Sequence, residues 1–191
     1  VKKKLTTSLP KWVNPSLQAL AFWIAYKKQL YQHHPIKEGA IVLELLGLIS
    51  SNIDNKVYTH SEVQYRSNNK NNLADIVLAD SPLRKNLSYK EILSIIEVKR
   101  DKSKTKINPD IERLGKYKIE NPQVRCFLIV VSESKRPNRF VGNNGEALGI
   151  IEKSEWNDYK VNVRRVCKAT SSFRDNNVEK AHYVCLIEIQ L

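Results

Sequence analysis

Two short apolar runs, one helix length apart, constrain this chain most. Ile92-Leu93-Ser94-Ile95-Ile96 leads into Glu97-Val98-Lys99-Arg100, and Cys126-Phe127-Leu128-Ile129-Val130-Val131 follows downstream. Runs this apolar and this rich in β-branched residues read as strands buried on both faces. Between them lies a lysine-rich loop over 101–106. Asn108-Pro109-Asp110 then opens a helix that reaches about Glu120, with Asn108 as its cap and Pro109 in its first turn. A strand-helix-strand unit of this kind is a right-handed crossover between parallel strands.

Upstream, apolar spacing predicts a helix over about 15–31 and a second over about 36–51. Ile41, Val42, Leu45, Leu46, Leu48 and Ile49 make the second helix apolar on most sides, so it should be buried. Glu38 and Glu44 interrupt it. Val57 to Tyr65 alternates like a strand, and Ser67 to Asn72 is a polar turn. Leu73 to Leu78 is a second strand holding a single acid, Asp75. These strands would form an antiparallel meander ahead of the crossover. Beyond Pro137 the chain is less regular. Gly142, Gly145 and Gly149 mark loops, and 159–169 and 182–190 would pair as a hairpin. The reading is one α/β domain over 1–191: a mixed sheet flanked by helices, a core at about 36–132, and a β-rich extension over 137–191.

The chain has 191 residues, with 32 Lys+Arg against 20 Asp+Glu and a net charge of +12. That excess attracts polyanions and points to nucleic acid as a partner. No apolar run approaches a membrane span, and the first residues lack the apolar region of a secretory signal. Methionine is absent even at position 1, as in a fragment or a trimmed chain. Cys126, Cys167 and Cys185 lie in or beside apolar runs without metal-type spacing. They are expected to be buried, reduced thiols, which suits the cytoplasm.

The chemistry concentrates where the first buried strand ends. Alternate side chains share a face, so Glu97 and Lys99 point the same way, just past Ile95. Asp75 sits among Leu73, Ala74, Ile76, Val77 and Leu78, where a charge is costly unless paired or bound to metal. If the two strands are neighbours, Asp75 and Glu97 converge. A hard divalent cation, Mg²⁺ above all, relieves the repulsion between them and would hold a phosphate as well. Lys99 would orient or deprotonate the attacking water, or stabilise charge on the phosphate. A helical acid would complete the site. Glu44 is the first choice, because Ala40, Gly47 and Ser51 share its stripe and permit close approach to a sheet. Glu38, aligned with Ile41, Val42, Leu45 and Ile49, is the alternative.

Leu73-Ala74-Asp75-Ile76-Val77-Leu78 followed by Ile95-Ile96-Glu97-Val98-Lys99 resembles the core of the PD-(D/E)xK, or restriction-endonuclease-like, nuclease superfamily. Ala74 stands where the named motif has proline. The resemblance implies a glutamate-bearing helix, three meandering strands, a crossover helix and a fourth strand. It implies Asp75, Glu97 and Glu44 as metal ligands and Lys99 as the catalytic lysine.

The expected function is therefore a Mg²⁺-dependent endonuclease, with Mn²⁺ able to substitute, hydrolysing DNA phosphodiester bonds. Restriction, phage defence, mobile-element and repair settings all suit it. Lys102, Lys104, Arg113 and Lys116 are the candidate phosphate contacts, and a double-strand cutter would naturally be a homodimer. The alternatives are a non-catalytic nucleic-acid-binding module on the same fold, and an α/β protein acting through partner contacts. No helix-turn-helix or zinc module is present for sequence readout.

Overall fold

The computed structural model describes residues 8–32, 34–67, 70–82, 90–101, 104–153, 156, 158–170 and 177–191. Helices α1 (Val13–Leu30) and α2 (Glu38–Ser50) come first. The meander β1 (Tyr58–Ser67), β2 (Lys70–Ala79) and β3 (Ile92–Arg100) follows. Then come α3 (Lys104–Glu120), β4 (Arg125–Ser132), the short β5 (Gly149–Ile151), β6 (Lys160–Ala169) and β7 (His182–Gln190).

The strands form one seven-stranded sheet in the order β1-β2-β3-β4-β7-β6-β5. Among the described strands only β3 and β4 pair in parallel, Ser94 opposite Arg125 through Arg100 opposite Val131, as the connection through α3 requires. The other pairings are antiparallel. The expected hairpin of β6 and β7 forms, and β7 docks on β4, so the C-terminal strands continue the central sheet. The chain is thus α/β with a mixed sheet.

Strand alternation divides the core into two layers. Ile76, Leu78, Ile96, Val98, Phe127, Ile129 and Val131 pack under α1 and α2, against Leu17, Leu20, Ile24, Ile41, Leu45 and Ile49. Val77, Ile95, Cys126, Leu128 and Val130 face α3 through Ile107, Ile111, Leu114 and Tyr117. All three cysteines are free and buried, as expected. Among the described residues no helix is long and apolar enough to cross a membrane.

One helix boundary departs from the sequence reading. α3 begins at Lys104, so Pro109 lies inside the helix and not in its first turn. Proline there removes one backbone donor, and the buried contacts of Ile107, Ile111, Leu114 and Tyr117 offset that loss.

Candidate functional site

Antiparallel pairing aligns Ile76 with Ile96 and Val77 with Ile95, and there the β2–β3 ladder stops. The next donor on β3, the Val98 N–H, turns instead to the side chain of Asp75 and reaches Oδ2 at 2.7 Å. Asp75 is thereby fixed beside the charged end of β3 by the strand pairing itself.

Lys99 is the hub of this end. Its Nζ lies 3.0 Å from Glu38 Oε1, 3.9 Å from Asp75 Oδ2 and 4.0 Å from Asp110 Oδ2. Burial disfavours its charged form, but Asp75, the hydrogen bond to Glu38, and Asp110 outweigh that effect. The net result holds Lys99 above the ordinary lysine range as a stable ammonium. The Arg100 N–H donates to the second oxygen of Glu38 at 3.3 Å. Glu38, the first residue of α2, therefore clasps the end of β3 with both oxygens.

Glu97 is 1 % exposed. Arg113 Nη2 stands 2.9 Å from its Oε1 and 2.8 Å from Asp110 Oδ1. The contact with Glu97 is an ion pair without hydrogen-bond alignment. Oε1 has no hydrogen-bond donor among the described residues, and the buried Tyr65 hydroxyl and Arg113 Nε lack partners as well. Burial raises the Glu97 carboxyl to about 7. Arg113 opposes the rise, and Asp75 and Asp110 add to it. Burial raises Asp110 too, against the pull of Lys99 and Arg113.

Asp75, Glu97 and Lys99 thus come together as expected, while Glu44 does not join them. It lies six residues beyond Glu38, roughly 9 Å further along the helix and on another side. Its companions Ala40, Gly47 and Ser51 face solvent, and nothing stands within 4 Å of a Cβ built on Gly47. The small-residue stripe is an outer face; the apolar stripe of Ile41, Val42, Leu45 and Ile49 carries Glu38 to the sheet.

Arg113 is likewise turned inward onto Glu97 and Asp110, away from a phosphate-binding surface. Lys116 is exposed. Lys102 and the side chain of Lys104 lie outside the described residues. Asp110 is the member that sequence reasoning missed. It shares a helical stripe with Ile107, Leu114 and Tyr117, all buried, and an acid on a buried stripe was a legible signal.

Four carboxylates, Glu38, Asp75, Glu97 and Asp110, face two cations, Lys99 and Arg113. The all-oxygen donor set and the unsatisfied oxygen of Glu97 fit a hard divalent cation. As arranged, no three acidic, histidine or cysteine side chains among the described residues share one metal-sized point. Binding a cation at Glu97 would require Arg113 to release it. Compared with protein-family models, with curated proteins and with solved structures, the chain matches none.

Proposed function

We propose that this chain is a metal-dependent nuclease of the PD-(D/E)xK type, acting on phosphodiester bonds of DNA. One observation carries the reading. Elements in the order helix, three meandering strands, crossover helix and strand converge Glu38, Asp75, Glu97 and Lys99 on the C-terminal end of β3. The net charge of +12 supports a polyanionic substrate.

Asp75 and Glu97 would hold Mg²⁺ or Mn²⁺, with Glu38 in the helical position first given to Glu44. When bound, such a cation supplies Lewis acidity toward phosphate and acidifies water. Lys99, kept protonated by its acidic neighbours, donates to a phosphate oxygen and stabilises the charge that develops there. That charge state suits an electrostatic role better than proton abstraction. Asp110 steadies both Lys99 and Arg113.

Plasmid and oligonucleotide substrates incubated with Mg²⁺, Mn²⁺ or chelator test the reading. Metal-dependent cleavage should fall by about 10²–10⁴-fold in Lys99→Ala. Absence of cleavage across metals and DNA forms would sink it. The non-catalytic reading has one observation in its favour, since Lys99 and Arg113 already neutralise part of the acidic cluster. Salt-dependent DNA binding without cleavage would select it.

A further inference from the structure

The outer face of α1 is unusual for a surface helix. Its 18 residues contain no acid. Two adjacent i, i+4 rows run along it, Phe22–Tyr26–Leu30 and Trp23–Lys27–Tyr31, the last residue capping the helix. Phe22 is 48 % exposed, Tyr26 57 %, Leu30 54 % and Tyr31 53 %. Lys27 Nζ lies 5.7 Å from the Trp23 ring centroid and 5.9 Å from that of Tyr31, bridging two aromatic faces. The opposite face, with Leu17, Leu20, Ala21 and Ile24 fully buried, anchors the helix. The outer side chains of Tyr26 and Tyr31 are therefore not needed for packing.

The C-terminal end of α1, where both rows finish, lies close to the acidic cluster. Lys28 Nζ is 3.4 Å from Glu133 Oε2, and Glu133 Oε1 is 2.5 Å from Arg100 Nη2. Arg100 in turn donates its N–H to Glu38. Two contacts connect the end of α1 with Arg100 at the end of β3, and a third joins Arg100 to α2. A hollow of about 400 Å³ is lined by Lys28, Gln32, Arg100 and Glu133.

We propose that the aromatic, lysine-bearing face of α1 stacks unpaired bases of a nucleic-acid strand that runs into the Glu38–Asp75–Glu97–Lys99 cluster. The substrate class is then DNA with a single-stranded segment beside the scissile bond. This inference deepens the nuclease reading and rests on it. Planar rings accept any base face, and Lys27 beside them meets the phosphates. Charge favours a polyanion over a second copy of the chain as occupant: two acid-free faces, each bearing Lys27, would repel across a two-fold axis, whereas a polyanion complements them.

Binding of a labelled single strand of about 12 nucleotides, and of the matching duplex, is measured by fluorescence anisotropy in chelator, so that nothing is cut. The single strand should bind more tightly. Tyr26→Ala with Tyr31→Ala should weaken it by about tenfold or more and leave the duplex nearly unchanged. Tyr26→Phe with Tyr31→Phe should restore binding, and circular dichroism verifies that each variant is folded. Equal binding of both DNA forms, indifferent to these changes, would overturn the proposal. So would a dimer, seen by sedimentation, that the alanine variant dissociates while single-strand affinity holds. Metal-dependent cleavage that persists with indifferent single-strand binding removes the stacking face and leaves the nuclease. Ring-dependent stacking without cleavage in any metal leaves the face and removes the nuclease.

Discussion

Two glutamates are buried in the same sheet, and they are treated in opposite ways. Glu188 on β7, 5 % exposed, has both oxygens filled. Arg125 Nε and Nη2 reach Oε1 at 2.8 and 2.6 Å, while Arg164 Nη1 and Gln190 Nε2 reach Oε2 at 2.7 and 3.0 Å. Glu97 on β3, 1 % exposed, has one guanidinium, which it shares with Asp110, and Asp75 adds further repulsion. The fold can satisfy a buried carboxylate completely and does so where the role is structural. Among the described residues, Glu97 is the only carboxylate with a buried oxygen that lacks a donor. Perturbed acids among like charges are characteristic of functional sites.

The largest effect expected from this contrast is on stability. Glu188→Ala strands two guanidiniums and should cost about 3 kcal/mol in chemical denaturation. Metal-dependent cleavage at temperatures well below unfolding should survive. Glu97→Gln replaces a poorly paired acid, so near pH 4.5, where the folded carboxyl is protonated, it should change stability by no more than about 1 kcal/mol, and it should abolish cleavage. Equal destabilisation by the two substitutions would break the comparison.

The pH profile sharpens it. The folded Glu97 carboxyl titrates near 7, above its ordinary 4.5. Between those values the folded chain binds more protons than the unfolded one. The Glu97 contribution is therefore fully present below about pH 4.5 and is lost as pH rises through about 7. The change is on the order of 3 kcal/mol. Unfolding of wild type in chelator, compared with Glu97→Gln, measures it. A wild-type slope that survives the substitution would assign it to another group.

The smallest effect concerns α2. Glu38→Ala should slow cleavage by about 10- to 100-fold, through loss of the clasp on Lys99 and Arg100. Glu44→Ala should leave the rate unchanged and stability within about 0.5 kcal/mol. Reversal of that order in cleavage rate and unfolding would restore Glu44 to the site.

The strands were legible because burial on both faces demands the continuous apolar runs of β3 and β4. Asp75 and Glu97 were legible because they interrupt such runs. The choice between Glu38 and Glu44 turned on which stripe of α2 meets the sheet. Small residues at Ala40, Gly47 and Ser51 suit close approach in principle, whereas burial follows Ile41, Leu45 and Ile49. Asp110 was hidden by Pro109. Taken as the opening of a helix, the pair made Asp110 look like an ordinary acid of the first turn. Inside the longer α3 it is a buried acid aimed at Lys99. The inward turn of Arg113 depends on Glu97, which lies on another element and which helical periodicity does not encode.

The hydrogen bond from Val98 to Asp75 has a wider meaning. The sheet does not simply end there; it forks, and a side chain takes the stitch that main chain would otherwise make. One carboxylate thus serves as seam and as charge. Architecture and reactivity meet in a single pair of oxygens, so the opening between β2 and β3 cannot widen without carrying its own electrostatics with it.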